Sequence, residues 1–391
     1  MKQKLILGIL LLACSCRPAD EERTYLRFLE KQDLTAKDYV LNQFENHDLV
    51  LFCERTHDEF TQYELLRDIV SDPYFIDNVG HIYMEVGSMN MDERINRFLQ
   101  SDFEDPNAMR DTLTGIFRDI DYSLYWHCYN YPWFLAEIYR INQTLPVGKK
   151  LEVHPVDVCF DWNEIRTPEQ YAFWDENWSN RDSIMASHTI ARFEQVCSSA
   201  DPRKKGLIIM NYKHAFLKDH RIGGEPTTNA GRWLADRYGN RVASVYLMGL
   251  AIPEGWSYTV VQDGKWDYYF ETAGKTDVGF DLKCTPFGRA DFDAIPPDSL
   301  NDFRYEDMFT GLIFYKPIGE HRKITGWQGF TTPDFVPELR KRMEIFSKAM
   351  DPEGELEESF IQEHLYKNDT VRESRYDNLE QHRARIDQWK K

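Results

Sequence analysis

The sequence predicts an α/β fold: a three-layer α/β/α body with a mostly parallel central sheet and a helical insertion. Three features carry this expectation. Residues 48–53, 81–86 and 206–210 are short, continuous apolar runs of the kind seen in strands covered on both faces. The stretch between the first two, 60–70, is amphipathic, with Leu65, Leu66, Ile69 and Val70 on its inner side. The opening order is therefore strand, loop, helix, strand, which makes parallel neighbours.

From the N-terminus, residues 1–13 read as a targeting segment. Lys2 and Lys4 precede an apolar run from Leu5 to Ala13, too short to span a bilayer as a mature helix. It ends in Leu11-Leu12-Ala13-Cys14, which resembles the lipobox of bacterial lipoproteins, with Cys14 acylated as the new N-terminus. Cys16 after Ser15 is a second candidate, and an ordinary secretory signal cut nearby is the plainer alternative. The expected setting is the cell envelope, with the lipid as membrane contact. No later run nears the roughly 18 apolar residues of a spanning helix.

Residues 14–35 should form a polar tether and a first short helix, and 36–350 the main domain. A helix is expected over about 91–100. The insertion at 101–146 is helical and rich in rings, including Tyr122, Tyr125, Trp126, Tyr129, Tyr131 and Trp133. Most such rings fill a helical core; the sharper reading makes this segment, with Trp126 and Trp133, the floor of a substrate cleft. A strand follows over 151–157, a long helical stretch over 167–198, and strands at 206–210 and 242–250. Residues 252–300 read as an irregular, β-rich excursion, and 311–315 as the last core strand. The charged helical tail, 351–391, should cover the body loosely or extend into solvent.

The net charge of −18, from 47 basic and 65 acidic residues, argues against holding nucleic acid or anionic headgroups through bulk charge. Cys53 and Cys159 read as small apolar strand residues. The cysteines beyond the signal have no CxxC spacing, so no zinc-type cysteine cluster exists, while a disulfide among the rest stays open. Gly223, Gly224 and Gly231 lack the spacing of a phosphate loop, and no GxSxG elbow is present.

Chemistry gathers at strand ends. Glu54-Arg55-Thr56-His57-Asp58-Glu59 follows the first strand, Glu85 ends the second, His154 and Asp157 close the third, and Asn211 to His214 the fourth. In open parallel sheets ligands bind at the carboxyl ends of strands, so four separate strands supply one edge. His57 could take a proton from water, with Glu54 or Glu85 fixing its tautomer and balancing the imidazolium. His214 could protonate a leaving group or polarise a carbonyl, and Arg55 or Arg67 could neutralise an oxyanion. The blander reading makes Glu54-x-x-His57 part of a helix start, with Thr56 and Asp58 as caps. His47, His81, His127, His188 and His220 read as structural or exposed.

These residues resemble a family. The run 53–60 (CERTHDEF) looks like the first motif of the erythromycin esterases, Gly-Glu-x-Thr-His-Gly followed by Glu-Phe, and Glu85 looks like their second acidic position. Leu135 to Pro146, Val156-Asp157, Arg181-Asp182-Ser183-Ile184-Met185-Ala186, Asn211-Tyr212-Lys213-His214, Gly231 to Leu234 and Phe292 to Ile295 continue the resemblance in order over about 45–320. It implies a cleft in which Glu54, His57, Glu85 and His214 hydrolyse an ester or lactone, with His57 as general base. Arg67 corresponds to the family's helix arginine. Cys53 and Asp58 replace both glycines of the first motif, and Asn211 stands where the late motif has its first histidine.

The expected protein is thus an exported hydrolase with a small-molecule ester or lactone substrate, no resident cofactor and no nucleic-acid partner. Arg55, Arg67, Trp126, Trp133 and Asn211 are its candidate substrate-binding residues. Two other readings share the cluster: a divalent metal held by Glu54, His57, Glu85 and His214, or haem captured in the aromatic cleft.

Overall fold

The structure, a computed structural model, describes residues 18–120, 122, 128–176, 180–222, 224–254, 257–295 and 302–390. Cys14 and Trp126 lie outside the described residues. The chain begins with α1 (Pro18–Leu29), α2 (Ala36–Gln43), β1 (Leu49–Glu54), α3 (Thr61–Val70), α4 (Pro73–Asn78), β2 (Gly80–Ser88), α5 (Asp92–Gln100), α6 (Pro106–Asp119) and α7 (Asn130–Gln143). It continues with β3 (Glu152–Asp157), α8 (Pro168–Asp175), α9 (Arg181–Ser198), β4 (Lys205–Asn211), β5 (His220–Ile222), β6 (Glu225–Thr227), α10 (Ala230–Tyr238) and β7 (Val242–Leu247). The next part adds β8 (Leu250–Glu254), β9 (Ser257–Val260), α11 (Lys265–Thr272), β10 (Asp277–Asp281), α12 (Tyr305–Met308) and β11 (Gly311–Tyr315). Last come β12 (Lys323–Thr325), α13 (Val336–Met350), α14 (Glu358–Asp369), β13 (Arg372–Ser374) and α15 (Leu379–Asp387).

Seven strands make the central sheet in the order β10-β11-β7-β1-β4-β2-β3, parallel throughout except for the antiparallel β10–β11 pair. Alternation along β1 divides the core in two. Val50 and Phe52 pack with α2, α3, α5, α6 and α7 on one face; Leu49, Leu51 and Cys53 pack with α1, α9, α10 and α11 on the other. The fold is the expected mixed α/β body with helices on both faces of a mostly parallel sheet. Helix starts are written locally: Asp72-Pro73, Asp105-Pro106 and Thr167-Pro168 each place a side-chain cap before a proline in the first turn.

Several expectations are corrected. The 252–300 excursion holds a β8–β9 hairpin, a core helix α11 that buries Trp266 and Phe270, and β10, an edge of the main sheet. β10 reads Asp-Val-Gly-Phe-Asp, so only Val278 and Phe280 mark it, while β11 is, as expected, the last strand of the main sheet along the chain. The tail is not loose. β13 pairs with β12, Ile361 and Leu365 join the larger core, and Ile386 packs with Leu250, Val260, Ile318 and Tyr376. Cys159 lies past the end of β3 and is exposed, and all five cysteines of the described residues are free thiols.

Candidate active site

β1, β4, β2 and β3 lie side by side, and their carboxyl ends bring the titratable residues together. β1 ends at Glu54, after which the chain turns at residues 55–60 to start α3. Arg55 N–H donates to Gln62 Oε1 at 2.7 Å and Gln62 Nε2 donates to Thr56 O at 2.9 Å, so the first helical turn holds the loop. The helix start is capped by Glu59, whose oxygens accept from Thr61 N–H and Gln62 N–H, rather than by Thr56 or Asp58. Asn130 of α7 donates to His57 O at 2.7 Å, which ties the insertion to the same loop.

Within this frame, His57 Nδ1 lies 2.9 Å from Glu54 Oε2, and His57 Nε2 lies 3.7 Å from Glu85 Oε1. That Glu85 oxygen is also 2.9 Å from Arg181 Nη2 and 3.4 Å from His214 Nε2. Glu85 Oε2 accepts from Asn211 N–H at 2.7 Å. Arg181 is clamped by Asp157 through Nε–H at 2.9 Å and Nη2–H at 3.0 Å. His214 Nδ1 meets Asp182 Oδ1 at 2.9 Å, which leaves Nε2 facing the cluster. The His57 and His214 side chains keep 22% and 21% of their surface, whereas those of Glu54 and Glu85 keep 1%. The imidazoles therefore form the reachable surface and the carboxylates stand behind them.

The charges follow. Burial works against a charged His57, but Glu54 and Glu85 outweigh it and raise its pKa to about 9. Burial would lift Glu85, yet His214, Arg181 and His57 hold its carboxyl well below the usual range. Burial raises Glu54 despite His57 beside it. Burial opposes protonation of His214, and Asp182 and Glu85 reverse that, so its pKa is raised.

Glu54, His57, Glu85 and His214 are thus brought together, and Asn211 joins them through its backbone, its side chain donating to Arg55 O at 2.7 Å. Arg55 is 2% exposed, spent on Met248 O, Tyr315 O and Glu59, so it braces the loop instead of facing a substrate. Arg67 pairs with Asp68 and lies over Trp133, which packs on Phe60. No contact joins either residue to the cluster among the described residues. His154 sits mid-strand in β3, three residues before Asp157, with its ring turned to His81, Asp92 and Arg192 instead of the cluster. Sequence reasoning assigned no site role to Arg181 or Asp182; the signal was the Arg181-Asp182 start of a helix within the motif series.

Gly231 explains how α10 reaches this edge. A Cβ there would sit 2.6 Å from the carbonyl carbon of Ala215, so only glycine lets the helix press on the 212–215 turn that carries His214. Asn229 secures the same contact, donating to Lys213 O at 2.9 Å and capping α10.

No family model matches this sequence. No curated protein matches it either. Among solved structures, a succinoglycan biosynthesis protein aligns over 75% of this chain and 97% of its own, at 11% identity and TM-score 0.51. This chain shares that fold. A Bacillus cereus protein aligns over 75% of this chain and 97% of its own, at 14% identity and TM-score 0.47. The erythromycin esterase EreC, in an open conformation, aligns over 73% of this chain and 95% of its own, at 13% identity and TM-score 0.46. At these identities the likeness concerns the fold. No helix of the described residues is long and apolar enough to cross a membrane.

Proposed function

We propose that this protein is a hydrolase of an ester or lactone, in which His57 takes a proton from the attacking water. The observation that supports this most is the clasp on His57: Glu54 at Nδ1, Glu85 near Nε2, and an exposed ring edge. Neutral His57 would accept the water proton at Nε2 as the oxygen attacks the carbonyl carbon, with Glu54 holding the Nδ1–H tautomer. Glu85 balances the imidazolium that forms. His214, protonated and anchored on Asp182, would donate to the developing oxyanion. On collapse the alkoxide leaves and takes the proton back from His57, so protons balance. We also propose that a lipid on Cys14 holds the protein at a bacterial envelope.

The base must be neutral to act. With a pKa of about 9, roughly one His57 in a hundred is neutral at pH 7. The rate should therefore climb about tenfold per pH unit for as long as His214 keeps its proton, and stop climbing by about pH 9.

Glu54, His57 and Glu85 also offer ligand atoms within 4.8 Å of one another, and His214 adjoins them, so the cluster could hold a divalent metal. Arg181 favours the metal-free reading, because its guanidinium already neutralises Glu85 Oε1 at 2.9 Å. Haem would need a free imidazole nitrogen, and both nitrogens of His57 and of His214 face carboxylates.

The test is turnover of aryl esters and macrolactones by the purified protein, with and without chelator, beside folded His57→Ala. The expected result is turnover that survives chelator and falls about 10³-fold in the variant. Unchanged turnover in His57→Ala would sink the mechanism. Loss on chelation moves the site to metal hydrolysis, and a Soret shift on haem titration without turnover moves it to haem binding.

A further inference from the structure

A second cluster lies at the opposite end of β2 and β3. In the parallel register His81 stands opposite Glu152 and Tyr83 opposite His154, so His81, Glu152 and His154 share one face of these two strands. His81 and His154 are 2% and 0% exposed. His81 Nδ1 lies 3.2 Å from His154 Nε2, and Glu152 Oε2 lies 3.8 Å from the first and 3.7 Å from the second. A tetrahedral zinc with ligands at about 2.1 Å has ligand–ligand edges of about 3.4 Å. The three atoms therefore stand close to three corners of such a site. Glu152 is partly exposed and borders an open groove with Asp92, Asn96 and Arg192, which leaves a way in and room for a fourth ligand.

The outer nitrogens argue the same way. His154 Nδ1 lies 2.8 Å from Asp92 Oδ2, and His81 Nε2 lies 3.5 Å from Asp201 Oδ2. The Asp92 carboxylate fixes the outer N–H of His154 and turns its inner lone pair forward, the usual support of a metal-ligating histidine, while His81 Nε2 is buried near Asp201 without a hydrogen-bond partner. Yet with both outer nitrogens protonated, two lone pairs face each other at 3.2 Å. Reversing His81 would aim a lone pair at Asp201. Reversing His154, with Nδ1 accepting from Arg192 Nε at 3.1 Å, would press its lone pair on Asp92 at 2.8 Å. A cation between the inner nitrogens would take up both lone pairs and leave the outer N–H groups turned toward Asp92 and Asp201. Asp92, Glu152 and Asp201 outnumber the nearby Arg192 and Arg203, so the local charge also favours one.

We infer that His81, His154 and Glu152 form a binding site for a zinc-type divalent metal ion, separate from the candidate active site, that staples the edge strand β3 to β2. The test is titration of chelator-treated, full-length protein in detergent with Co²⁺, read by bound stoichiometry and by the visible absorption of a tetrahedral site. The site predicts one such Co²⁺ that persists in His57→Asn, binds at least about tenfold more weakly in Glu152→Gln, and is lost in His154→Asn. Glu152→Gln decides the matter should His154→Asn fail to fold, because Glu152 is partly exposed. Absence of stoichiometric binding would overturn the site and leave a hydrogen-bonded histidine pair. Binding unaffected by Glu152→Gln, or abolished by His57→Asn, would also overturn it, the latter placing the ion at the other cluster.

Discussion

Glu85 carries more of the site than any other residue. Three cationic groups converge on one of its oxygens, and a buried carboxylate keeps its charge only with such company. Arg181→Met should therefore cost about 3–5 kcal/mol in urea unfolding, since it leaves Glu85 and Asp157 buried without their shared partner. The same change should carry the rise of the rate profile to higher pH, because Arg181 lowers the basicity of His57. Stability itself should depend on pH in both directions. Glu85 is depressed in the fold, so its contribution is present above the ordinary carboxylate range and lost as pH falls through the acid region. His57 is raised, so its contribution is full below its ordinary 6.5 and fades as pH rises through about 9. Thermal melts should peak between these limits, and a flat profile would mean that the clasp is not formed. Glu54 and His57 were legible because they stand three positions apart directly after an apolar run. Arg181 was not, since its partner Glu85 lies 96 residues away and only the folded sheet joins them. Arg55 was misread because a charge beside the motif looks available until burial is known.

Among the elements, the strands read as continuous apolar runs were found where both faces are covered. β10 escaped because glycine at its centre and aspartates at its ends leave no run to see. The tail escaped for a different reason: its apolar residues are sparse and pack singly into partners made elsewhere. The contact between α10 and the His214 turn gives a test at this scale. Alanine would favour a helix over glycine by up to about 1 kcal/mol, but in Gly231→Ala its methyl would meet the Ala215 backbone, which cannot swing aside. The variant should melt lower and lose about 10²-fold in turnover as His214 shifts. Wild-type turnover would show that the turn is free to adjust.

At the scale of the molecule, β2 carries polar clusters at both ends: Glu85 at one and His81 at the other, roughly 13 Å apart by strand geometry. Arg181 and Arg192 lie about 16 Å apart on α9 and serve the same two ends. The third span is the C-terminal segment. Phe60 N–H donates to Arg322 O at 2.6 Å, Ile324 N–H donates to Asp58 O at 3.3 Å, and β12 pairs in turn with β13. Deleting 351–391 removes that strand and uncovers the cluster around Ile386. At about 2 kcal/mol per buried aliphatic side chain, losing Ile361, Leu365 and Ile386 would take away a large share of a typical 5–15 kcal/mol stability. The truncated chain should melt far lower, and an unchanged melt would mean that the tail is dispensable.

The zipper between residues 58–60 and 322–324, backed by 372–374, also has a meaning in time. The motif loop emerges early in synthesis, but the strands that brace it come from the last fifth of the chain. Contacts this distant in sequence form slowly, because a long loop must close before they give anything back. The centre that is written first is therefore finished last, and a nascent chain would carry its histidines and carboxylates unassembled. Chemistry would begin only once the final segment has arrived.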